Sequence, residues 1–168
     1  MPDVLRLNVV EVTDGDTFVA AGSGGNTITV RLWGVDAPES GQPYGSPATR
    51  AARDIIGGTL AELHVEDTGP YGRHIARVKA EHQGERVDLA RCLAISGLAW
   101  HSREYPTSDA LIQCEKRARR QEKGLWSQAD PTAPWAYRDA QDETSLLEAI
   151  HEGYQTAREG YQWAWWLW

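Results

Sequence analysis

At 168 residues the chain is long enough for one domain with a proper core, and at 41% hydrophobic residues it is globular rather than disordered. No apolar run approaches the length that spans a bilayer, and residues 1–12 alternate like a strand instead of forming a charged-then-apolar leader, so a cytoplasmic chain or a mature form relieved of its leader is expected. A net charge of −7 argues against a polyanionic partner, but it is unevenly spread: residues 1–138 hold 16 Lys and Arg against 18 Asp and Glu, while residues 139–168 hold one Arg against six acids.

Leu5 to Val12 alternates apolar and polar and predicts a strand. Asp14-Gly15 makes a turn, Thr17 to Ala20 a second strand, and Gly22 to Asn26 a flexible hairpin tip. Thr27 to Trp33 predicts a third strand, with Val30 and Leu32 on one face and Arg31 and Trp33 on the other. Gly34 to Glu39 leaves it as a turn, because a residue before proline avoids the helical region. Ser46 is expected to cap a first helix, with Pro47 in its first position and Gly57-Gly58 after its end near Ile56. Leu60 to Val65 and Ile75 to Ala80 are strand candidates joined by the turn Gly69 to Gly72. Asp88 caps a second helix ending at Gly97, and Ser108 or Asp109 starts a third ending at Gly124. Cys92 and Cys114 both fall in helical patterns and read as free buried thiols, with a single bridge between two packed helices as the alternative. The basic run Lys116 to Arg120 reads as a solvated helix face, with a phosphate-backbone contact as the alternative.

Strands first, with helices inserted and appended, predict an α+β, mainly β, architecture: an antiparallel barrel with packed helices. Pro131 to Trp135 closes this domain, giving residues 1–138 as the folded unit and 139–168 as an acidic extension. Within that extension Ser145 to Trp168 reads as a helix with an aromatic end. Four tryptophans in the last six residues are expected to dock on the domain or on a partner copy, making a homo-oligomer or self-docking the expectation.

The residues that could carry chemistry alternate in sign over about sixty positions: Asp14, Asp16 and Thr17, then Arg31, then Asp36, Ala37 and Glu39, then Tyr71 and Arg73. If the strands that carry them are neighbours, Asp16 and Asp36 converge at one barrel end. Carboxylates suit a hard cation, arginines grip a phosphate through bidentate hydrogen bonds, and a spare carboxylate can orient or deprotonate a water. Those parts together suit phosphodiester hydrolysis.

Six motifs occur in order: Asp14-Gly-Asp16-Thr17, Val30-Arg31-Leu-Trp-Gly-Val-Asp36-Ala-Pro-Glu39, Tyr44-Gly-Ser-Pro-Ala48, Tyr71-Gly-Arg73, Gly97-Leu-Ala-Trp100 and Gly124-Leu-Trp126. Together they resemble the staphylococcal nuclease (thermonuclease) family over about residues 4–138. The resemblance implies an OB-fold five-stranded barrel with three helices, and calcium-dependent cleavage of DNA and RNA that leaves 3′-phosphate and 5′-hydroxyl ends. It implies that Asp16, Asp36 and the Ala37 carbonyl bind Ca2+, with Asp14 and Thr17 beside them. It further implies that Glu39 acts on the water, that Arg31 and Arg73 hold the phosphate, and that Tyr71 and Tyr105 contact substrate. Three departures stand out. Ala37 replaces the family's usual threonine, the loop from Glu39 to Tyr44 is short and lacks lysines, and Pro70 stands where a lysine often precedes the tyrosine. A second function class, a non-catalytic binding module on the same fold, is set against the enzyme by the presence of Asp16, Arg31, Asp36, Glu39 and Arg73 together.

Overall fold

The computed structural model describes residues 3–105 and 108–162, with the backbone alone for Tyr71 and residues 153–162. Residues up to Pro134 and those from Trp135 onward make two compact units.

The first unit is built on a barrel. Strands β1 (Val4–Val12), β2 (Thr17–Ala21) and β3 (Thr27–Leu32) form an antiparallel meander. After a short strand β4 (Val35–Asp36) and helix α1 (Gly45–Ile56), strand β5 (Leu60–Thr68) pairs antiparallel with β1. Strand β6 (His74–His82) pairs with β5 and then, in parallel, with β3, which closes a five-stranded ring. The connectivity is that of an OB-type barrel, as the motifs implied. Period-two patterning drives it: Phe18, Ala20, Val30, Leu32, Leu63, Val78 and Ala80 point inward and are buried. Strand β7 (Glu85–Asp88) extends β6 as a hairpin outside the ring.

Helices plug and flank the barrel. In α1, Ala48, Ala52 and Ile56 recur every four residues and form the buried stripe. Helix α2 (Leu89–Ile95) is capped by Asp88, whose carboxylate accepts the Arg91 N–H at 3.1 Å. Strand β8 (Trp100–His101) pairs antiparallel with β4, placing Trp100 opposite Asp36. Helix α3 (Asp109–Arg120) is capped by Ser108 and buries Leu111, Cys114, Glu115 and Ala118. Cys92 and Cys114 are free, the first half-buried and the second buried, and burial raises the Cys92 thiol above its ordinary value.

Several expected boundaries need correction. Helix α1 begins at Gly45, not at a Ser46 cap, because Tyr44 sits in the left-handed region at φ 69° and turns the chain directly into the helix. The turn expected over Gly34 to Glu39 contains β4, whose partner β8 lies more than sixty residues away and leaves no local signal. Strand β5 runs three residues further than expected, to Thr68, β6 begins one residue earlier and ends two later, and β7 was not anticipated. Helix α3 stops at Arg120 instead of near Gly124, since Glu122 takes φ 50° and breaks the ladder; a short 3-10 turn, Gly124–Ser127, follows.

Helix α4 runs from Pro134 to Gln162, starting eleven residues before the expected Ser145, and from Trp135 onward it belongs to the second unit. Proline is well suited to a first helical position. Leu146, Leu147 and Ile150 on it are each about 60% exposed. The tryptophan-rich end, and any docking through it, lies outside the described residues. Among the described residues no helix is long and apolar enough to cross a membrane.

Candidate active site

The turn between β1 and β2 presents Asp14 and Asp16. Asp14 closes this turn on itself, its Oδ1 accepting the Asp16 N–H at 2.9 Å. Asp16 thereby faces β3, and the Asp16 carbonyl accepts the Leu32 N–H at 2.8 Å. Thr17 adds a hydroxyl that donates to Asp16 Oδ1 at 3.0 Å.

Arg31 is the centre of the arrangement. Its Nη1 donates to Asp16 Oδ1 at 2.9 Å, and its Nη2 donates to Asp36 Oδ1. Asp16, Arg31 and Asp36 expose only 4%, 7% and 1% of their surface. An arginine on an outward strand face would ordinarily reach solvent along its apolar stem; this one stays buried because two carboxylates satisfy it. Burial works to lower the Arg31 pKa, but Asp16 and Asp36 outweigh it and hold the guanidinium above its ordinary value. For Asp16 the balance goes the other way: desolvation raises it to about 6 against the pull of Arg31, and Asp14 adds to the rise. Its ionised form is therefore under-compensated.

Ala37 follows Asp36, and its N–H donates to Asp16 Oδ2 at 2.7 Å, fastening the β4 turn to the β1–β2 turn. This approach requires Gly15, where a Cβ would meet the Ala37 Cβ at 2.6 Å and the Ala48 Cβ at 2.8 Å. Glu39 lies half-buried at the end of the same turn. The parallel pairing of β3 and β6 sets Arg31 opposite Ile75, so Arg73, two residues earlier, enters at the same end of the barrel. Arg73 Nε is buried without a hydrogen-bond partner among the described residues. Burial and then Glu104 raise the Tyr105 phenol above its ordinary value, while Arg31 and Arg73 pull it down, so Tyr105 shares their neighbourhood. Its ring also lies 5.0 Å from that of Trp33. The Tyr71 side chain lies outside the described residues. Asp14, Asp16, Thr17, Arg31, Asp36 and Ala37 are thus joined by direct hydrogen bonds.

Other residues hold this site in place without having been anticipated. Glu115 is buried on α3. It accepts the His101 N–H at 2.6 Å and the His101 ring Nδ1 at 2.7 Å, and its other oxygen accepts Arg119 Nε at 2.8 Å. It thereby fixes β8, the strand that pairs with Asp36. The Arg119 guanidinium in turn lies 3.7 Å from the Trp126 ring centroid and 4.9 Å from that of Trp100. A signal was present: Glu115 lies on the same stripe as Leu111 and Ala118, where a charge is out of place unless paired. Glu115→Ala is expected to cost about 1–3 kcal/mol by stranding the His101 amide and Arg119, read as a lowered urea midpoint at unchanged slope.

Gly45 is the second tight point. A Cβ there would run into the Glu39 carbonyl oxygen. Gly45→Ala should displace the Glu39 turn and slow catalysis by about 10²-fold if Glu39 acts on the reacting water, because a shift of about 1 Å at a catalytic group carries that penalty. Comparison of kcat at saturating substrate checks it.

The family model for staphylococcal nuclease homologues matches residues 29–128, a span holding Arg31, Asp36, Glu39, Arg73 and Tyr105 but beginning after Asp16. A micrococcal nuclease of Shigella flexneri is 37% identical over 142 residues, covering 80% of this chain and 81% of its own. An uncharacterized endonuclease of Escherichia coli is 33% identical over 130 residues, 77% of this chain and 82% of the other. A probable staphylococcal-like nuclease of Oryza sativa subsp. japonica is 34% identical over 109 residues, 65% of this chain but 32% of its own length. With a matched domain spanning more than half its length and such relatives along most of it, the chain belongs to the staphylococcal nuclease family.

Proposed function

We propose that this protein is a calcium-dependent nuclease that hydrolyses the phosphodiester bonds of DNA and RNA without selecting the sugar, leaving 3′-phosphate and 5′-hydroxyl ends. Family membership supports a phosphodiester hydrolase. The observation that carries the finer reading is the buried Asp16–Arg31–Asp36 cluster, with Arg73 entering at the same barrel end.

A hard cation suits the donors. Asp16, Asp36 and the Ala37 carbonyl offer oxygen only, the ligand type that calcium prefers. Two buried carboxylates hold one guanidinium between them, and a dication would bring further positive charge to them. Asp16 accepts three hydrogen bonds where a carboxylate has about four lone-pair directions, so capacity remains. Among the described residues no three His, Cys, Asp or Glu side chains form a ready cage, so water and substrate oxygens would complete the shell. Bound there, calcium supplies charge that offsets the phosphate and the negative charge developing on it.

The chain's own residues do the rest. Arg73 donates to a non-bridging phosphate oxygen; its Nε has no acceptor among the described residues. Arg31 commits one N–H from each terminal nitrogen to the acids and retains others of its five for the phosphate. Glu39 accepts a proton from the attacking water as its oxygen bonds to phosphorus; the bond to the 5′ oxygen breaks and that oxygen, protonated by solvent water, leaves as a hydroxyl. Tyr105 offers a ring for base stacking and Tyr71 a hydroxyl for the phosphate. Little base reading is needed, since every substrate presents the same backbone. In this reading residues 1–138 hold all of the chemistry and 139–168 none.

The test is cleavage of single-stranded DNA and RNA with calcium, with magnesium and with a chelator, followed by end-group analysis. Cutting of both substrates with calcium alone, yielding 3′-phosphate ends, is expected. A folded protein that binds DNA but cuts nothing would make this a binding module.

A further inference from the structure

The short loop after Glu39 contains a residue with no role in the scheme above. Gln42 exposes only 6% of its surface, although it lies in a five-residue turn rich in Ser, Gly and Pro. A buried glutamine must have its amide satisfied, and both ends of this one are. Its Oε1 accepts the Glu39 N–H at 3.1 Å, and its Nε2 donates to the Thr132 carbonyl at 2.5 Å, ninety residues along the chain. Its own N–H donates to the Glu39 carbonyl at 2.9 Å, and its carbonyl accepts the Gly45 N–H at 2.9 Å. Gln42 therefore grips both main-chain polar groups of Glu39 and anchors that grip to the segment Pro131–Pro134, outside the loop.

We propose that Gln42 is a positioning residue: it sets the place of the Glu39 carboxylate by clamping the Glu39 backbone to the Thr132 carbonyl. This rests on the reading of Glu39 as the base. It also gives a physical account of the loop's brevity. A five-residue connection has too few side chains to pack against itself, so one amide tied to a distant segment supplies the rigidity.

The test is a four-member cycle in the full-length protein: wild type, Gln42→Met, Glu39→Gln and the double variant. Methionine matches the volume of glutamine and lacks its hydrogen bonds, so the buried site stays filled. Kinetics are measured on single-stranded DNA with calcium. Gln42→Met is expected to lower kcat by about 10–100-fold with KM changed less than about twofold, because phosphate binding by Arg31 and Arg73 is untouched. In the Glu39→Gln background the same change should lower kcat by less than about twofold, since the group being positioned is gone. Gln42→Glu keeps an oxygen for the Glu39 amide but turns a buried carboxylate oxygen toward the Thr132 carbonyl, acceptor against acceptor. It too should lower kcat by about tenfold or more, and it provides the reading if methionine prevents folding.

Equal losses in both backgrounds, with Glu39→Gln itself slow, would leave the base in place and overturn the role of Gln42. Gln42→Glu as fast as wild type would also overturn it. A Glu39→Gln enzyme as fast as wild type would remove the base itself, a failure of the functional reading that the single variant identifies without the rest of the cycle.

Discussion

Arg31→Met is expected to destabilise the protein by about 3–5 kcal/mol in the absence of metal and to abolish detectable cleavage. The magnitude follows from burial: breaking a buried ion pair from one side leaves the other side uncompensated, and here two carboxylates, Asp16 and Asp36, lose the same partner. Methionine fills the volume, so the loss is electrostatic rather than a cavity effect. Calcium distinguishes this account from simple misfolding. If Asp16, Asp36 and the Ala37 carbonyl hold the ion, calcium restores charge to the acids that Arg31 left. The gap between wild type and variant in thermal melts should then narrow as calcium rises, with stabilisation growing as the logarithm of concentration above its Kd. Activity should stay lost, because the phosphate clamp is missing however well the acids are compensated. A destabilisation below about 1 kcal/mol would mean that the acids find other donors and that Arg31 is not their principal counter-charge.

The second large effect is expected for Glu39→Gln, with kcat lowered by about 10²–10⁴-fold and the fold unchanged, the range ascribed to a positioned general base. Glu39 is half-buried, and Gln42 contacts its backbone groups rather than depending on its charge. An amide of the same shape should therefore sit where the carboxylate does. Arg73→Ala serves as the comparison: removing a donor to the charge developing on phosphorus is worth about 10²–10³-fold, and it should raise KM as well. A Glu39→Gln loss confined to KM would mark this residue as a binding group instead.

Much of the site was legible in the sequence because its residues flank short turns. Asp14 and Asp16 bracket Gly15, and alternation along β3 put Arg31 opposite the face of Val30 and Leu32. Local pattern thus located the acids and arginines. What it could not show was their mutual pairing, since Arg31 reads equally as a surface residue until the β1–β2 turn is folded against it. The supports were hidden for the same reason. The β4–β8 pair, the Glu115 contacts and the reach of Gln42 to Thr132 join positions remote in sequence and carry no periodicity of their own. The α1 boundary went wrong over one backbone angle: Ser46-Pro47 has the chemistry of a helix start, yet Tyr44 in the left-handed region starts the helix two residues earlier.

The order in which the chain is made gives the β4–β8 pairing a further consequence. Every chemical group proposed for the reaction except Tyr105 lies at or before Arg73 and is synthesised ahead of the segments that support it. Their supports come afterwards: β6 must emerge to close the barrel beside β3, Trp100–His101 to pair with Asp36, Glu115 to fix that pair, and Thr132 to receive Gln42. A nascent chain of this kind carries its reactive side chains beside an RNA template and ribosomal RNA without the framework that aligns them. The topology therefore lets these groups be aligned only after Thr132 has been added, well beyond Arg73 in the chain.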